Sequence, residues 1–192
     1  MKYFDRFHPS NYYHVYNHAV GNEDLFRTPA NFLYFLLRFK KYMDPVLIIH
    51  GYCLMPNHFH FLVQIRNREI INQLAGIETD EEFDAHKFIM QKLSNCLNSY
   101  AKSYNKYFSR RGALFIDYTK RIEMQSDFSL MKLLKYIHMN PVRHGFCQSM
   151  SEWKYSSYTS FLDPGLYPSP EMDFIFEYFD SLESFVNFHK QV

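Results

Sequence analysis

The sequence predicts an α+β domain with the order strand, helix, strand, strand, helix, strand. This is the ferredoxin-like βαββαβ arrangement, here followed by one more helix and a helical tail. Three observations carry the prediction. Short runs of alternating or β-branched and aromatic character read as strands at residues 12–20, 46–54 and 58–65. Longer stretches place apolar residues at helical spacing between and after them. The Met55-Pro56-Asn57 connection is short enough to make the second and third strands an antiparallel hairpin.

Each element has its own signals. Tyr12–Val20 alternates and stops at Gly21-Asn22. Pro29–Met43 is a helix, with Thr28 as N-cap, Pro29 in the first turn, and Phe32, Phe35, Leu36 and Phe39 on one face. Asp44-Pro45 breaks it, and strands at Val46–Leu54 and His58–Ile65 follow. Residues 66–86 are polar and acidic, and read as an insertion entering a long helix from about Glu82 to Phe108, closed by Arg110-Arg111-Gly112. Ala113–Met124 is the fourth strand. Ser126 or Asp127 caps the next helix, which is expected to stop near Met139 because the residue before Pro141 avoids helical geometry. The tail is expected to form one amphipathic helix over about Glu171–Lys190. Residues 1–163 are thus read as the domain and 164–192 as the tail.

A chain of 192 residues is long enough to bury a sizeable core. Its 20 Phe and 16 Tyr exceed what core filling usually needs, so some rings are candidates for stacking on bases. No apolar run approaches the roughly 20 residues of a membrane helix, and the first residues lack the apolar stretch of a secretory signal. Cys53, Cys96 and Cys147 are widely spaced and suit a reducing compartment, so a cytoplasmic protein with no membrane partner is expected. Charge is polarised: residues 87–145 hold eleven Lys and Arg against three acids, a net +8, while residues 146–192 sum to −5. Such a chain has one anion-binding side, or else a long solvated helix face.

The chemistry centres on His58-Phe59-His60. Strand alternation points both imidazoles one way and Phe59, Phe61 and Val63 the other. Two such imidazoles form a pair of metal ligands, or, without an ion, two half-exposed strand histidines. On the helix after the fourth strand, Leu130, Leu133, Leu134 and Ile137 form the apolar stripe. Lys132, Tyr136 and Asn140 step by four beside it. Tyr136 is a nucleophile in that setting, or a boundary tyrosine with its hydroxyl in water.

Together, Tyr12-Tyr13-His14-Val15, Met55-Pro56-Asn57-His58-Phe59-His60, Gly112-Ala113-Leu114-Phe115, the run from Tyr136 to Gly145 and Trp153-Lys154-Tyr155-Ser156-Ser157-Tyr158 resemble the IS200-like transposases. The resemblance is closest to their REP-associated tyrosine transposase branch and spans about residues 10–162. It implies an HUH-type enzyme that nicks and rejoins single-stranded or hairpin DNA through a phosphotyrosine. In its terms His58 and His60 hold a divalent metal, Mg²⁺ or Mn²⁺, with Asn140 as a third ligand, and Tyr136 is the nucleophile. It also implies a monomer acting in cis, although some members are dimers. The chain departs from the family's pattern at His18, where an arginine is common, and in its acidic stretch at 78–84. DNA contacts are expected from Lys102, Lys106, Arg110, Arg111, Lys120, Arg121 and Arg143.

Two other readings remain. A DNA-binding protein of the same fold needs neither the histidine pair nor the tyrosine. A histidine-triad hydrolase needs a further histidine at position 62, which is Leu, and a cupin needs an all-β pattern that this chain lacks.

Overall fold

The computed structural model describes residues 4–78, 83–163 and 173–190. Its elements are β1 (Tyr12–His18), α1 (Pro29–Met43), β2 (Leu47–Met55), β3 (His58–Ile65), α2 (Arg68–Ala75), α3 (Ala85–Tyr107), β4 (Lys120–Met124) and α4 (Asp127–Arg143). A 3₁₀ turn (Met150–Glu152), α5 (Ser157–Leu162), α6 (Asp173–Tyr178) and α7 (Leu182–Lys190) follow. The four strands form one antiparallel sheet in the order β2-β3-β1-β4. This is the ferredoxin-like topology expected from the element order. Among the described residues no helix is long and apolar enough to cross a membrane.

The sheet has two covered faces. On one, Tyr13, Val15, Phe59, Phe61 and Val63 pack against Phe35, Leu36 and Phe39 of α1 and Ile89, Leu93 and Tyr100 of α3. On the other, Cys53, Met55 and Leu62 meet the Leu130, Leu133, Leu134 and Ile137 stripe of α4. Phe174, Phe179 and Phe185 of the tail close that second core. The segment from Trp153 to Ser157 runs along β2, the sheet's edge. The Tyr155 carbonyl accepts from Leu54 N at 2.9 Å, and Trp153 Nε1 donates to the Leu54 carbonyl at 3.0 Å. An otherwise bare row of backbone groups is thereby partnered.

Several expectations need correction. Residues 66–86 include a helix, α2, capped by Asn67 and ended by Gly76 in the left-handed region; Asp80, Glu81 and Glu82 lie outside the described residues. α3 ends at Tyr107, before the Arg110-Arg111-Gly112 signal. Ser109 takes φ +51, and Arg110 N reaches back to the Asn105 carbonyl at 2.8 Å, which closes the helix. Of the expected fourth strand only Lys120–Met124 is regular. Residues 114–116 do pair with the end of β1, but Tyr118 at φ +62 interrupts the ladder.

Helix α4 does not stop before Pro141. It runs to Arg143, and Gly145 ends it at φ +73, with Phe146 N bonding the Pro141 carbonyl and Gly145 N the Val142 carbonyl. That double closure is the helix stop. Pro141 has no N–H to offer the Ile137 carbonyl, so the last turn continues past it one bond short. The tail is two helices, because Ser181 accepts from Ser184 N and starts α7 afresh; residues 164–172 lie outside the described set.

One close approach seats α4. Gly51 lies at a register shift in β2, and a Cβ there would stand 2.6 Å from Leu134 Cδ1, which is fully buried. Replacing Gly51 by Ala overpacks this contact and should destabilise the fold by about 1–3 kcal/mol. Urea unfolding of Gly51→Ala beside the parent checks this.

Candidate functional site

The site begins with strand register. His18 lies opposite His58, Tyr16 opposite His60 and His14 opposite Leu62. With a period of two, one face of β1 therefore carries His14, Tyr16 and His18 beside His58 and His60. The His18 and His58 rings stack at 4.6 Å, and those of His14 and Tyr16 at 4.5 Å. From the end of α4, His144 brings its ring within 5.2 Å of His58.

Hydrogen bonds orient the pair. His58 Nδ1 lies 2.7 Å from Asn57 Oδ1, and an amide oxygen only accepts, so Nδ1 carries the proton. The lone pair of His58 is then on Nε2. His60 Nδ1 meets His14 Nε2 at 2.8 Å. When His60 donates across that contact, its own Nε2 is also a lone-pair donor. Both rings are buried, at 3% and 4% exposure. Burial pushes His58 and His14 down to about 3, and holds His60 well below the usual imidazole range. The pair is therefore neutral at pH 7, the state in which imidazole ligates a cation. The Asn57 and His14 contacts are the kind of outer support that fixes a ligating ring.

Tyr136 stands over this face from α4. Its ring is edge-on to His60 at 5.7 Å and to His14 at 6.1 Å, and it is 36% exposed. The Arg143 guanidinium lies 5.4 Å from its centroid. Asn140 is buried on the same helix, and its amide nitrogen donates to the Tyr136 carbonyl at 2.9 Å, so its oxygen stands outside that bond. Among the described residues no three His, Cys, Asp or Glu side chains are grouped to hold a metal. A cation on the histidine pair would need an amide or a phosphate oxygen to complete its shell, and Asn140 is of that type. Lys132, expected beside Tyr136, is exposed and covers the Phe128 ring at 4.1 Å.

Behind α4 a buried chain fixes its position. His189 Nδ1 donates to the Phe185 carbonyl at 2.9 Å, so His189 Nε2 accepts from His138 Nδ1 at 2.8 Å. His138 Nε2 in turn accepts from Ser157 Oγ at 2.7 Å, and that oxygen accepts from Tyr52 N at 2.9 Å. Helix α7, α4, α5 and β2 are thus joined by one chain of neutral donors and acceptors.

The expected DNA-contact residues divide. Lys120 pairs with Tyr16, and its ammonium lies 5.5 Å from that ring, on the histidine face. Arg143 is also there. Lys102, Lys106 and Arg111 are exposed, but on α3 and its following loop, across the sheet. Arg110 holds that loop: it donates to the Ala113 carbonyl and pairs with Glu23 at 3.2 Å. Arg121 is a correction. It is 8% exposed, shares Val15's face, and donates to the Asp5 and Thr119 carbonyls at 2.7 and 3.0 Å. Sequence reading did not assign His14, His18 and His144 to the site. The alternation of Tyr12-Tyr13-His14-Val15-Tyr16-Asn17-His18 was the available signal for the first two.

The fold and this face define a ferredoxin-like domain with paired histidines on the sheet and a tyrosine on the covering helix. No protein-family model matches the chain. A Haemophilus influenzae protein described as "Putative REP-associated tyrosine transposase" is 26% identical over 118 residues, which is 60% of this chain. The match spans 61% of that protein's length. A solved structure described as a REP-associated tyrosine transposase bound to a REP hairpin superposes with a TM-score of 0.62. It covers 88% of this chain and 89% of that one at 16% identity, a likeness of fold. The chain is thus similar in part of its sequence to one protein described as a REP-associated tyrosine transposase, and in fold to another.

Buried neutral histidines set the acid limit of the metal-free protein. His14, His58, His50 and His189 are all depressed by burial, the last two to about 4. Between their unfolded value of about 6.5 and these folded values, the unfolded chain binds more protons. Stability should therefore be full above pH 7 and fall steadily from about pH 6.5 toward pH 4. Urea midpoints measured at pH 7.5, 6 and 5 should decline in that order.

Proposed function

We propose that this chain is an HUH-type enzyme that nicks and rejoins single-stranded DNA beside a hairpin, with Tyr136 as nucleophile. The observation that carries the reading is the edge-on approach of Tyr136 to His60 and His14. That approach brings a tyrosine beside neutral imidazoles, over a face with the cations Lys120 and Arg143, which supports the reading of Tyr136 as nucleophile. A DNA-binding protein without chemistry needs no such pairing.

His58 and His60, with Asn140 as third ligand, would hold Mg²⁺ or Mn²⁺. The ion supplies Lewis-acid stabilisation of charge on the scissile phosphate. The Tyr136 hydroxyl gives up its proton as its oxygen bonds to phosphorus. The bond from phosphorus to the 3′ oxygen breaks, and that oxygen takes up a proton. The products are a 5′-phosphotyrosine and a free 3′-OH, as the family resemblance implies. The ester keeps the bond energy, so attack by a 3′-OH reverses the step without ATP. His14 acts as a positioning residue by holding His60 in one ring orientation. Tyr136 meets His60 within one chain, which supports a monomer acting in cis.

Tyr136→Phe removes only a half-exposed hydroxyl. It should abolish nicking of hairpin-flanked single strands and leave hairpin affinity within about twofold of the parent; nicking by the Phe variant would refute the nucleophile. Chelation by EDTA should stop nicking by the parent protein, and Mg²⁺ or Mn²⁺ should restore it.

Salt dependence tests the contact surface. Lys120→Gln and Arg143→Gln should each flatten the slope of log affinity against log salt by about one. Arg121→Ala should leave that slope alone and lower the thermal midpoint, since it strips two backbone carbonyls of their donor.

A further inference from the structure

Two kinds of contact are needed to fix where an imidazole lone pair points. A hydrogen bond at Nδ1 sets the tautomer and one direction in the ring plane. The ring can still tilt about that bond, and a partner against its face prevents the tilt. Both rings of the histidine pair have both contacts, and β1 supplies three of the four partners.

His58 has Asn57 Oδ1 at 2.7 Å from Nδ1, and the His18 ring against its face at 4.6 Å with 17° between the planes. His60 has His14 Nε2 at 2.8 Å from Nδ1, and the Tyr16 ring stacked on it at 5.4 Å and 27°. Strand register makes these stacks, because His18 lies directly opposite His58 and Tyr16 directly opposite His60. The planes of His58 and His60 stand at 87° to each other, with their centroids 5.1 Å apart. A single wall cannot lie flat on two perpendicular rings, so each ring needs its own. Nor is His18 a third ligand beside His58. Imidazole lone pairs lie in the ring plane, and two stacked, nearly parallel rings cannot both aim theirs at one ion.

We propose that His18 and Tyr16 are positioning residues, His18 lying flat on His58 and Tyr16 on His60, and that each holds its partner's Nε2 toward a shared cation. The inference rests on the metal reading above. What the role demands is a flat face rather than a nitrogen or a hydroxyl. Phenylalanine therefore serves at either position, and an aliphatic side chain does not. Both residues are half-buried, so either can be replaced without opening the apolar core.

The test begins with the metal-free full chain. ¹³C relaxation of the Cδ2–H vectors of His58 and His60 should give both rings order parameters near the rigid-backbone value of about 0.85. In His18→Leu the value for His58 should fall below about 0.6 while that for His60 stays, and Tyr16→Leu should do the reverse. His18→Gln, which is polar and ringless, should match His18→Leu. His18→Phe and Tyr16→Phe should restore the parent values. Mn²⁺ titration followed by electron paramagnetic resonance should then show affinity about tenfold weaker in each Leu variant and within about twofold of the parent in each Phe variant. An ordered His58 in His18→Leu, loosening of both rings by either Leu variant, or a Phe variant as loose as its Leu counterpart would overturn the positioning role. So would parent-like Mn²⁺ affinity in a variant whose ring has loosened. The relaxation readout needs neither metal nor DNA. The crossed pattern in a parent protein that binds no Mn²⁺ would therefore keep the stacking role and count against the metal reading alone.

Discussion

The structure turns on the pairing of β1 with β3. With His18 opposite His58 and Tyr16 opposite His60, five aromatic and imidazole side chains share one face. A slip by one residue would send His14, Tyr16 and His18 into the apolar core and bring Tyr13 and Val15 out. Register is held because Tyr13, Val15, Phe59, Phe61 and Val63 must all be buried against α1 and α3. The hydrophobic face thus sets the polar one. The neutral state of the histidines follows from that burial.

The second constraint is the seat of α4. Gly51 lets Leu134 approach the sheet, and the Ser157–His138–His189 chain ties the back of the helix to α7. Tyr136 lies on the side facing His60, and His138, two residues on, lies on the clamped side. The tail is therefore part of what holds the tyrosine, since a shift in α7 would be passed to α4 through the His138–His189 contact and through Lys135, which donates to the Phe188 carbonyl.

Much of this was legible in the sequence. α1 and β3 fall where capping, periodicity and alternation put them, because those signals are local. The helix ends were less legible. Pro141 looked like a stop, but Gly145 supplies the left-handed residue that ends α4, and Ser109 does the same for α3. Tyr118 divides an apparent strand by a backbone conformation that its side chain does not announce. For the site, the pair His58 and His60 was readable from alternation alone. The partners His14 and His144 depend on pairing and helix placement, which are tertiary facts. Basic residues were the hardest to sort: Arg110 and Arg121 look like phosphate contacts in sequence, and both are occupied by the protein's own carbonyls.

The central claim is that one tyrosine out of 16, the one held over His60, forms the bond to DNA. The most direct measurement is peptide mapping by tandem mass spectrometry of the covalent complex formed with a hairpin-flanked single strand and Mn²⁺. The account predicts a nucleotide mass on the hydroxyl of Tyr136. A nucleotide on any other residue, or strand cleavage with no protein-bound nucleotide, would contradict it.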